Sequence, residues 1–403
     1  MNIVFLSLVK IDSLNERGIY TDLLRYFFKN GHSVTIVCPK ERRYWHKSII
    51  QSSIENLRII QVPILNLQKT HIIEKLIGTL LIEPLFTRVV KKYRIGVRDD
   101  LLLYSTPPVT FASVIKHIKK SNSRVKTYLL LKDIFPQNAV DIDLFTDSSL
   151  IYKYFRRKEI TLYKVSDFIG CMSQANVNYI LAKNKFLDNN RVEVCPNSIE
   201  LSNAKSFNID KVTLRKKYSI SDNITVFIYG GNLGKPQGIN FIESVIEAFE
   251  TIEGVFLFVV GSGTEFSRLN QFVEIKKFQK TVIQPSLPRE EYDLLISIAD
   301  VGLIFLDYRF TIPNFPSRLL SYMENCLPVI SATDDATDIG AIIESANFGV
   351  GCASNSINDF VEKVIYMRDR PEKRMVMGRN GYMYLKENYT VEKSYEIIMK
   401  HFS

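Results

Sequence analysis

The amino-acid sequence predicts an α/β protein made of two Rossmann-like domains that face a cleft. Short, continuous apolar runs alternate with helical patterns along its 403 residues. The runs fall into two blocks, and the turn residues Cys195-Pro196-Asn197-Ser198 separate them. The second block opens with a glycine-rich turn between a strand and a helix. Continuous apolar strands with helices between them are typical of parallel sheets that are covered on both faces.

The first block contains seven predicted strands, and the turn after the last of them ends a domain at residue 198. These strands are Ile3–Leu8, Val34–Val37, Arg58–Val62, Leu101–Tyr104, Lys126–Leu131, Asp167–Cys171 and Val192–Cys195. Helical patterns such as Tyr20–Lys29 and Val109–Lys119 lie between them. The strands predicted in the second block are Thr225–Tyr229, Val255–Val260, Val282–Gln284, Val301–Phe305 and Val329–Ser331. Ligands of such sheets bind outside the carboxyl ends of the strands.

Composition indicates an ordinary globular protein with one basic half. Hydrophobic residues make up 46% of the chain and charged residues 24%. Residues 1–200 hold 30 Lys and Arg against 18 Asp and Glu, whereas residues 201–403 hold 22 against 25. This asymmetry favours a polyanionic or membrane-surface partner for the first half. No nucleic-acid-binding motif accompanies the basic residues, so we expect no nucleic-acid partner.

Cysteine spacing and the first residues predict a cytoplasmic protein. The five cysteines are scattered and form no C-x-x-C pair, which is typical of reduced thiols. The start of the chain lacks the basic residues and the small-residue cleavage site of a signal peptide.

The segment 71–94 departs from the strand and helix alternation. Its apolar positions have helical spacing and are followed by basic residues; they are Ile72, Ile73, Leu76, Ile77, Leu80 and Leu81. Pro84 is expected to break or kink this helix. The apolar run is too short and too charged to span a bilayer. Two interpretations stay open: a helix that faces the core, or a patch that lies on an anionic membrane surface.

The glycine-rich turn predicts a phosphate site. Gly230, Gly231 and Gly234 follow an apolar strand and precede an amphipathic helix. Glycines let backbone N–H groups approach a ligand, and the N-terminus of the following helix carries a partial positive charge. An ordinary turn between strand and helix is the alternative interpretation.

Six motifs, in this order, resemble those of the retaining glycosyltransferases of the GT-B fold, in the large bacterial group of family four. They are Gly31-His32-Ser33-Val34, Pro196-Asn197-Ser198-Ile199, Gly231-Asn232-Leu233 with Gln237-Gly238, Val260-Gly261-Ser262-Gly263, Ile298-Ala299-Asp300-Val301 and Leu327-Pro328-Val329-Ile330. The resemblance covers nearly the whole chain. Three further strings are similar to the WbuB-like transferases of bacterial O-antigen and capsule assembly: Pro316-Ser317-Arg318, Met172-Ser173 and Lys132-Asp133-Ile134-Phe135-Pro136.

The resemblance implies a nucleotide-sugar-binding domain over residues 199–385 and an acceptor-binding domain over residues 1–198. It also implies that a C-terminal helix, within residues 386–403, crosses back to the first domain. The donor-binding residues that we assign are Gly230, Gly231, Asn232, Leu233, Gly234, Lys235, Gln237, Gly261, Gly263, Gln284, Ser286, Pro316, Ser317 and Ser321.

The chain departs from the family pattern at several charged positions. The family places two Glu residues where this sequence has Pro313 and Ser321, and Glu324 lies one turn beyond the second of them. It also often places Arg and Lys where Asn232 and Gln237 stand. The charge of the leaving diphosphate must therefore be stabilised by other cations. Lys235 and Arg318 are the candidates, and we assign Arg318 a catalytic role because a guanidinium can hold phosphate through two hydrogen bonds.

Asp133 is the candidate catalytic residue of the first domain. It follows the strand Lys126–Leu131, and a carboxylate at that end of a strand faces the ligand side of the sheet. It would orient or deprotonate an acceptor hydroxyl; a turn or helix cap is the equal alternative. The pair Asp141 and Asp143 spells a D-x-D, but this string alone does not establish a metal site. We expect no metal and no cofactor.

The resulting hypothesis is a glycosyltransferase at the inner face of the cell membrane. The resemblance implies transfer, with retention, from a UDP-sugar to a polyprenyl-diphosphate-linked saccharide in surface polysaccharide synthesis. The sugar implied is an N-acetylated amino sugar. Two alternatives stay open: a nucleotide-sugar epimerase of the same fold, and a catalytically silent glycosyltransferase-like partner subunit. The basic first half leaves a nucleic-acid-binding protein as a further one.

Overall fold

A computed structural model describes residues 1–45, 52–67, 71–201 and 211–402 of the chain. The chain divides into two compact units. Unit 1 comprises Met1–Glu200 and Val391–Ser403, and unit 2 comprises Leu201–Thr390. The C-terminal residues therefore belong to the same unit as the N-terminus.

Unit 1 contains an eight-stranded sheet. Its strands are β1 (Asn2–Leu6), β2 (Ser33–Glu41), β3 (Ser52–Ile54), β4 (Leu57–Ile64), β5 (Leu101–Ser105), β6 (Lys126–Leu131), β7 (Phe168–Cys171) and β8 (Val192–Val194). The strand order is β3-β4-β2-β1-β5-β6-β7-β8. Every pairing is parallel except that of β3 with β4.

Helices connect the parallel strands of unit 1. They are α1 (Ile19–Lys29), α2 (Ile72–Lys92), α3 (Ala112–Ser121), α4 (Gln137–Asp141), α5 (Leu150–Val165) and α6 (Gln174–Lys183), with 3-10 turns at Arg42–Tyr44, Val109–Phe111 and Asn189–Arg191. The central strand β5 is buried along its whole length. On α1, Leu23, Leu24 and Phe27 pack into the same core. Burial on both faces explains why these strands read as continuous apolar runs.

Unit 2 contains a six-stranded parallel sheet. Its strands are β9 (Thr225–Asn232), β10 (Val255–Ser262), β11 (Thr281–Gln284), β12 (Val301–Phe305), β13 (Val329–Thr333) and β14 (Gly349–Ala353), in the order β11-β10-β9-β12-β13-β14. Its helices are α7 (Lys211–Lys217), α8 (Ile239–Thr251), α9 (Phe266–Lys276), α10 (Arg289–Ser297), α11 (Arg318–Glu324), α12 (Ile339–Ser345), α13 (Ile357–Arg368) and α14 (Pro371–Asn388), with a 3-10 turn at Lys235–Gln237. The predicted α/β class with two parallel sheets is confirmed.

The last helix, α15 (Val391–Met399), belongs to unit 1. The Tyr395 hydroxyl lies 2.9 Å from His32 Nε2, next to α1. Beyond the helix, His401 Nε2 lies 2.7 Å from Glu193 Oε1. Polar contacts in the middle of α15 and beyond its C-terminus thus hold this segment on the first unit. The predicted segment starts at residue 386, whereas α14 continues to residue 388.

Two strands and one helix differ from the sequence expectation. The short edge strand β3 and the strand β14 were not predicted. Pro84 lies inside α2, so the helix is not broken at this residue. Proline removes the hydrogen bond to the carbonyl four residues earlier. That carbonyl belongs to Leu80, whose 60% exposure gives water access to this turn. In the described ranges, no helix has the length and apolarity that a bilayer span requires.

Candidate active site

The glycine-rich turn of unit 2 continues from β9. Several of its backbone N–H groups donate hydrogen bonds to other groups of the protein. The Gly230 N–H donates to the Tyr322 hydroxyl at 3.2 Å. The Leu233 N–H donates to the Ser262 carbonyl at 3.0 Å. The Leu233 side chain is fully buried. These contacts hold the turn against its neighbours and leave these two amides unavailable to a ligand.

The Gln237 side chain forms hydrogen bonds inside the same turn. Its Oε1 accepts hydrogen bonds from Asn232 Nδ2 at 2.8 Å and from the Gly234 N–H at 3.2 Å. The Gln237 side chain is buried, while Lys235 is exposed. A third amide is therefore satisfied inside the protein. A phosphate at this turn needs a positive partner in addition to the backbone.

Close packing explains three of the glycines. Gly231 has φ +148°, a conformation that side chains disfavour. A Cβ on Gly261 would lie 1.9 Å from the Gly231 carbonyl oxygen. A Cβ on Gly263 would lie 2.0 Å from the Leu233 carbonyl oxygen. Both of these glycines therefore let β10 and its following turn lie directly against the β9 turn.

We expect Gly261→Ala to lower the free energy of unfolding by about 2 kcal/mol or more, because backbone atoms must move to admit the methyl group. Chemical denaturation measures the loss. Gly340→Ala is the matched control, since its nearest heavy atom would be 3.7 Å away and it lies in α12. That change is expected to be neutral or to stabilise by about 0.5–1 kcal/mol. Equal stability of the two variants would contradict the packing argument.

Arg318 lies directly beneath the turn. It is the first residue of α11, and its guanidinium carbon lies 4.3 Å from the centroid of the Tyr229 ring. A Cβ on Gly231 would be 2.7 Å from that guanidinium. Its Nη1 atom is buried and has no hydrogen-bond partner among the described residues. The absence of a side chain at Gly231 thus makes room for this cation.

Tyrosines surround Arg318 and supply no negative charge at neutral pH. A Cβ on Gly230 would lie 1.9 Å from the Tyr292 hydroxyl, so this hydroxyl also borders the turn. Burial raises the pKa of Tyr292 to about 12, although the Arg318 charge opposes the rise. Burial likewise raises the pKa of Tyr229 and of Tyr322. Protonated hydroxyls next to an uncompensated buried cation form an environment that favours an anion.

Of the remaining predicted donor residues, Gln284 and Ser286 lie at the carboxyl end of β11, whereas Ser321 lies within α11. Gln284 ends β11, and the Ser286 hydroxyl donates to the Ser262 hydroxyl at 3.0 Å. Pro316 and Ser317 precede α11, where Ser317 is the N-terminal cap residue. The structure brings Gly230, Gly231 and Arg318 into one cluster. Among the residues that the structure describes, no hydrogen bond or ion pair joins Lys235 to this cluster.

The two family carboxylates are absent, and other acids occupy this part of unit 2. Glu324 lies 4.0 Å from Arg289 Nη2, and its side chain is 11% exposed. Asp334 follows β13 and accepts from the Thr337 hydroxyl at 3.0 Å. Burial raises the pKa of Asp334 to about 6. The same Thr337 oxygen accepts from the Asn314 N–H at 3.0 Å, next to Pro313.

Asp133 follows β6 at the carboxyl edge of the sheet in unit 1. Its Oδ1 accepts from Asn138 Nδ2 at 2.7 Å. Its backbone N–H donates to the Thr106 hydroxyl at 3.2 Å, and that hydroxyl follows the neighbouring strand β5. Burial raises the pKa of Asp133 to about 6, although the Ile134 amide and Asn138 stabilise the carboxylate. Asp133 is therefore a carboxyl group that changes protonation state close to physiological pH.

Two further titratable groups lie near Asp133: Tyr20, which the sequence patterns did not single out, and the adjacent Lys132, which belongs to the same family-like string. Burial raises the pKa of Tyr20, and the nearby Asp133 carboxylate adds to this rise. Lys132 Nζ donates to the Cys195 carbonyl at 3.3 Å, and burial lowers its pKa to about 8. Tyr20 belongs to α1, far from Asp133 in sequence, so only the folded structure brings them together.

The D-x-D string does not form a metal centre in the described residues. Asp141 Oδ1 accepts from Gln137 Nε2 at 2.8 Å within α4. Asp143 follows that helix with φ 58°. In the ranges that the structure describes, no group of three or more His, Cys, Asp or Glu side chains is placed to hold a metal ion.

Comparison with known proteins finds a family model that is similar to most of unit 2. Residues 210–384 match the family model described as glycosyl transferases group 1. Solved structures match the whole chain. Sucrose-phosphate synthase from Thermosynechococcus elongatus has a TM-score of 0.76 at 13% identity, covering 100% of this chain and 98% of that one. The chain has the GT-B fold. HepE of Anabaena, in complex with UDP and glucose, has a TM-score of 0.73 at 14% identity and covers 100% and 99% of the two chains.

Curated relatives of the GT-B chain are also described as glycosyltransferases. WbjE of Pseudomonas aeruginosa, a probable glycosyltransferase, is 24% identical over 274 residues, which cover 64% of this chain and 63% of WbjE. MJ1069 of Methanocaldococcus jannaschii, an uncharacterized glycosyltransferase, is 23% identical over 62% of each chain. The putative colanic acid biosynthesis glycosyl transferase WcaI of Escherichia coli K12 is 22% identical over 44% of each chain. The chain thus matches less than two thirds of each of these three relatives.

Proposed function

We propose that this protein is a retaining glycosyltransferase that takes its sugar from a UDP-sugar. The observation that carries the proposal is the buried guanidinium of Arg318, which lies against Gly231 and has an unpartnered Nη1 atom. A diphosphate at the turn would give this cation the negative partner that the described residues lack. The complexes of HepE with UDP and glucose support a nucleotide-sugar as the ligand of this fold.

In the proposed reaction, the bond between the anomeric carbon and the diphosphate oxygen breaks, and a bond from an acceptor oxygen to that carbon forms on the same face. Arg318 stabilises the charge that develops on the leaving diphosphate. The Tyr292 hydroxyl, which borders Gly230, donates a hydrogen bond to the same group. Asp133 orients the acceptor hydroxyl and receives its proton. UDP leaves with the electron pair of the broken bond.

The proposed acceptor is a polyprenyl-diphosphate-linked saccharide at the inner face of the cell membrane, and the transferred sugar is an N-acetylated amino sugar. The basic residues of the first half support an anionic membrane surface as a partner. The description of WcaI as a putative colanic acid biosynthesis enzyme supports surface polysaccharide synthesis. We propose no metal or cofactor, because the guanidinium of Arg318 and the neighbouring Tyr292 hydroxyl are expected to stabilise the diphosphate.

A donor screen tests the nucleotide-sugar proposal. We expect UDP and UDP-sugars to raise the thermal stability of the protein, by about 2.7 kcal/mol at 100 times the dissociation constant. Nucleoside diphosphates with other bases, tested in parallel, measure the selectivity for the base. Stabilisation by none of these nucleotides would contradict the proposal. Incubation with the UDP-sugar alone separates a transferase from an epimerase, because an epimerase forms a stereoisomeric UDP-sugar whereas a transferase can only hydrolyse the donor to UDP and free sugar.

A catalytically silent partner subunit is the second candidate. The observation that favours it is the replacement of both family carboxylates, at Pro313 and Ser321. Such a subunit would bind UDP in calorimetry without transferring sugar to any acceptor in a panel of lipid-linked saccharides. Transfer to one of these acceptors would contradict it.

A further inference from the structure

The outer stripe of α2 is apolar in its N-terminal half and basic in its C-terminal half. Ile77, Leu80 and Leu81 are 48%, 60% and 39% exposed. Arg88 and Lys91 follow them and are also exposed. These positions recur at spacings of three and four residues, so they share one face of the helix. The side chains of Ile72, Ile73 and Leu76 lie outside the described part of the chain. The exposed three already show that the helix does not bury all its apolar residues in the core.

A second helix of unit 1 repeats this arrangement. At the start of α5, Leu150 is 84% exposed, Ile151 is 52% exposed and Tyr154 is 41% exposed. Lys153 and Arg157 are exposed beside and beyond them. Adjacent exposed apolar residues of this size are uncommon on a surface that contacts only water. Both helices thus present an apolar N-terminal end that basic residues adjoin.

The fold places the two apolar ends at the same edge of the sheet, on either side of the start of α3. Helices that connect parallel strands run antiparallel to them, so α2 and α5 run parallel to each other. An ion pair joins them, with Lys158 Nζ 2.5 Å from Glu83 Oε2. Leu80 lies one turn before Glu83, and Tyr154 lies one turn before Lys158. The apolar ends therefore form one surface near the carboxyl edge of the sheet, the edge at which Asp133 lies.

The charges around this surface are predominantly positive. Arg88 and Lys91 line an open groove of about 540 Å³ beside α3. Among the described residues, no acidic side chain forms an ion pair with Arg88 or Lys91, and none does so with Lys153 or Arg157. The groove also contains Glu83, but its ion pair with Lys158 offsets that charge. Two exposed acids, Asp143 and Asp147, precede α5. We name this surface the α2–α5 face: apolar Ile77, Leu80, Leu81, Leu150, Ile151 and Tyr154, with Arg88, Lys91, Lys153 and Arg157.

We propose that the α2–α5 face docks on an anionic phospholipid bilayer. The apolar ends enter the boundary between headgroups and acyl chains, and the cations contact lipid phosphates. A second copy of the chain fits less well, because a symmetric contact through this face would bring like charges together. The inference rests on the proposed lipid-linked acceptor, and it adds α5 to the membrane contact. Docking at the carboxyl edge would bring that acceptor close to Asp133.

Sedimentation with lipid vesicles tests the proposal on the full chain. We expect binding to vesicles of phosphatidylcholine with phosphatidylglycerol and much weaker binding to phosphatidylcholine alone. Binding to the anionic vesicles should decrease as the salt concentration rises. Arg88→Glu with Arg157→Glu is expected to lower the vesicle affinity by about 30-fold or more, from about a factor of five for each lost cation. Leu80→Gln with Leu150→Gln is expected to lower it by at least about tenfold.

Exposed residues of unit 2 provide matched controls. Ile275→Gln changes a side chain that is 78% exposed, and Lys216→Glu reverses an exposed charge; both should leave vesicle binding unchanged. Equal binding of the wild type to both kinds of vesicle would overturn the proposal. A dimer in light scattering that Leu80→Gln with Leu150→Gln dissociates would assign the face to self-association instead. UDP binding is measured on every variant and should persist, so failure of the donor proposal is distinguished from failure of this one.

Discussion

Replacing Arg318 with alanine is expected to lower kcat by about ten- to a thousandfold, the range for losing one charge-stabilising donor. Its guanidinium lies against Gly231, over the Tyr229 ring, and its Nη1 atom has no partner in the described residues. The interaction strengthens as negative charge develops on the leaving diphosphate. The loss should therefore appear in kcat, with a smaller change in KM.

Two variants show whether charge alone is sufficient at this position. Arg318→Lys keeps the charge but loses the planar stacking on Tyr229 and the paired hydrogen bonds, so its kcat should lie between those of the wild type and the alanine variant. Arg268→Ala is the control, because Arg268 is exposed and pairs with Glu243 on the surface. Thermal unfolding of each variant verifies that it is folded. Unchanged steady-state kinetics of folded Arg318→Ala would refute the role.

At the glycine-rich turn, the secondary structure could be predicted from the sequence but the hydrogen bonds could not. The strand, the turn and the helix after it were predicted from an apolar run, three glycines and an amphipathic pattern. The hydrogen-bond partners of the turn's backbone N–H groups were not predictable, because some of them belong to residues that are distant in sequence. The hydroxyl that accepts from Gly230 belongs to Tyr322, 92 residues further on. Local sequence thus predicts the turn, while tertiary contacts decide which of its groups remain available to a ligand.

The two unpredicted strands have local explanations. β14 has the sequence Gly349-Val350-Gly351-Cys352-Ala353, and its two glycines weaken the apolar pattern. β3 has only three residues and pairs antiparallel at the edge of the sheet. The apolar strands β5 and β6, in the middle of their sheet, were predicted within a residue. The hydrophobic pattern of the sequence therefore predicts a strand best where both faces of that strand are buried.

The α5 helix illustrates the opposite problem at the surface. Its residues Leu150, Ile151 and Tyr154 have the composition of a core-facing turn, and only the structure shows that they are exposed. The environment of Asp133 was equally hidden, since its neighbour Tyr20 comes from α1. Sequence order places Asp133 at the carboxyl end of a strand. Burial by the surrounding elements is what moves its pKa.

Replacing Asp133 with asparagine is expected to change activity and stability in opposite directions. Loss of the base should lower kcat/KM by about 10²–10⁴-fold. The wild-type rate should fall as the pH decreases through about 6, where the carboxylate becomes protonated, and the Asn variant should lack this limb. Asp141→Asn, in the nearby α4, is the control and should keep the wild-type pH profile.

The pH dependence of the free energy of unfolding tests the protonation of Asp133 independently of activity. The pKa of Asp133 is about 6 in the folded protein, against an ordinary value of 3.8, so folding favours the protonated form. The wild type should therefore lose stability as the pH rises from about 4 to 6, by an amount on the order of 2 kcal/mol. The Asn variant carries no charge there and should be the more stable protein above pH 6, with the difference vanishing near pH 4. Lower stability of the variant at neutral pH would mean that Asp133 is a structural turn residue, as the alternative interpretation holds.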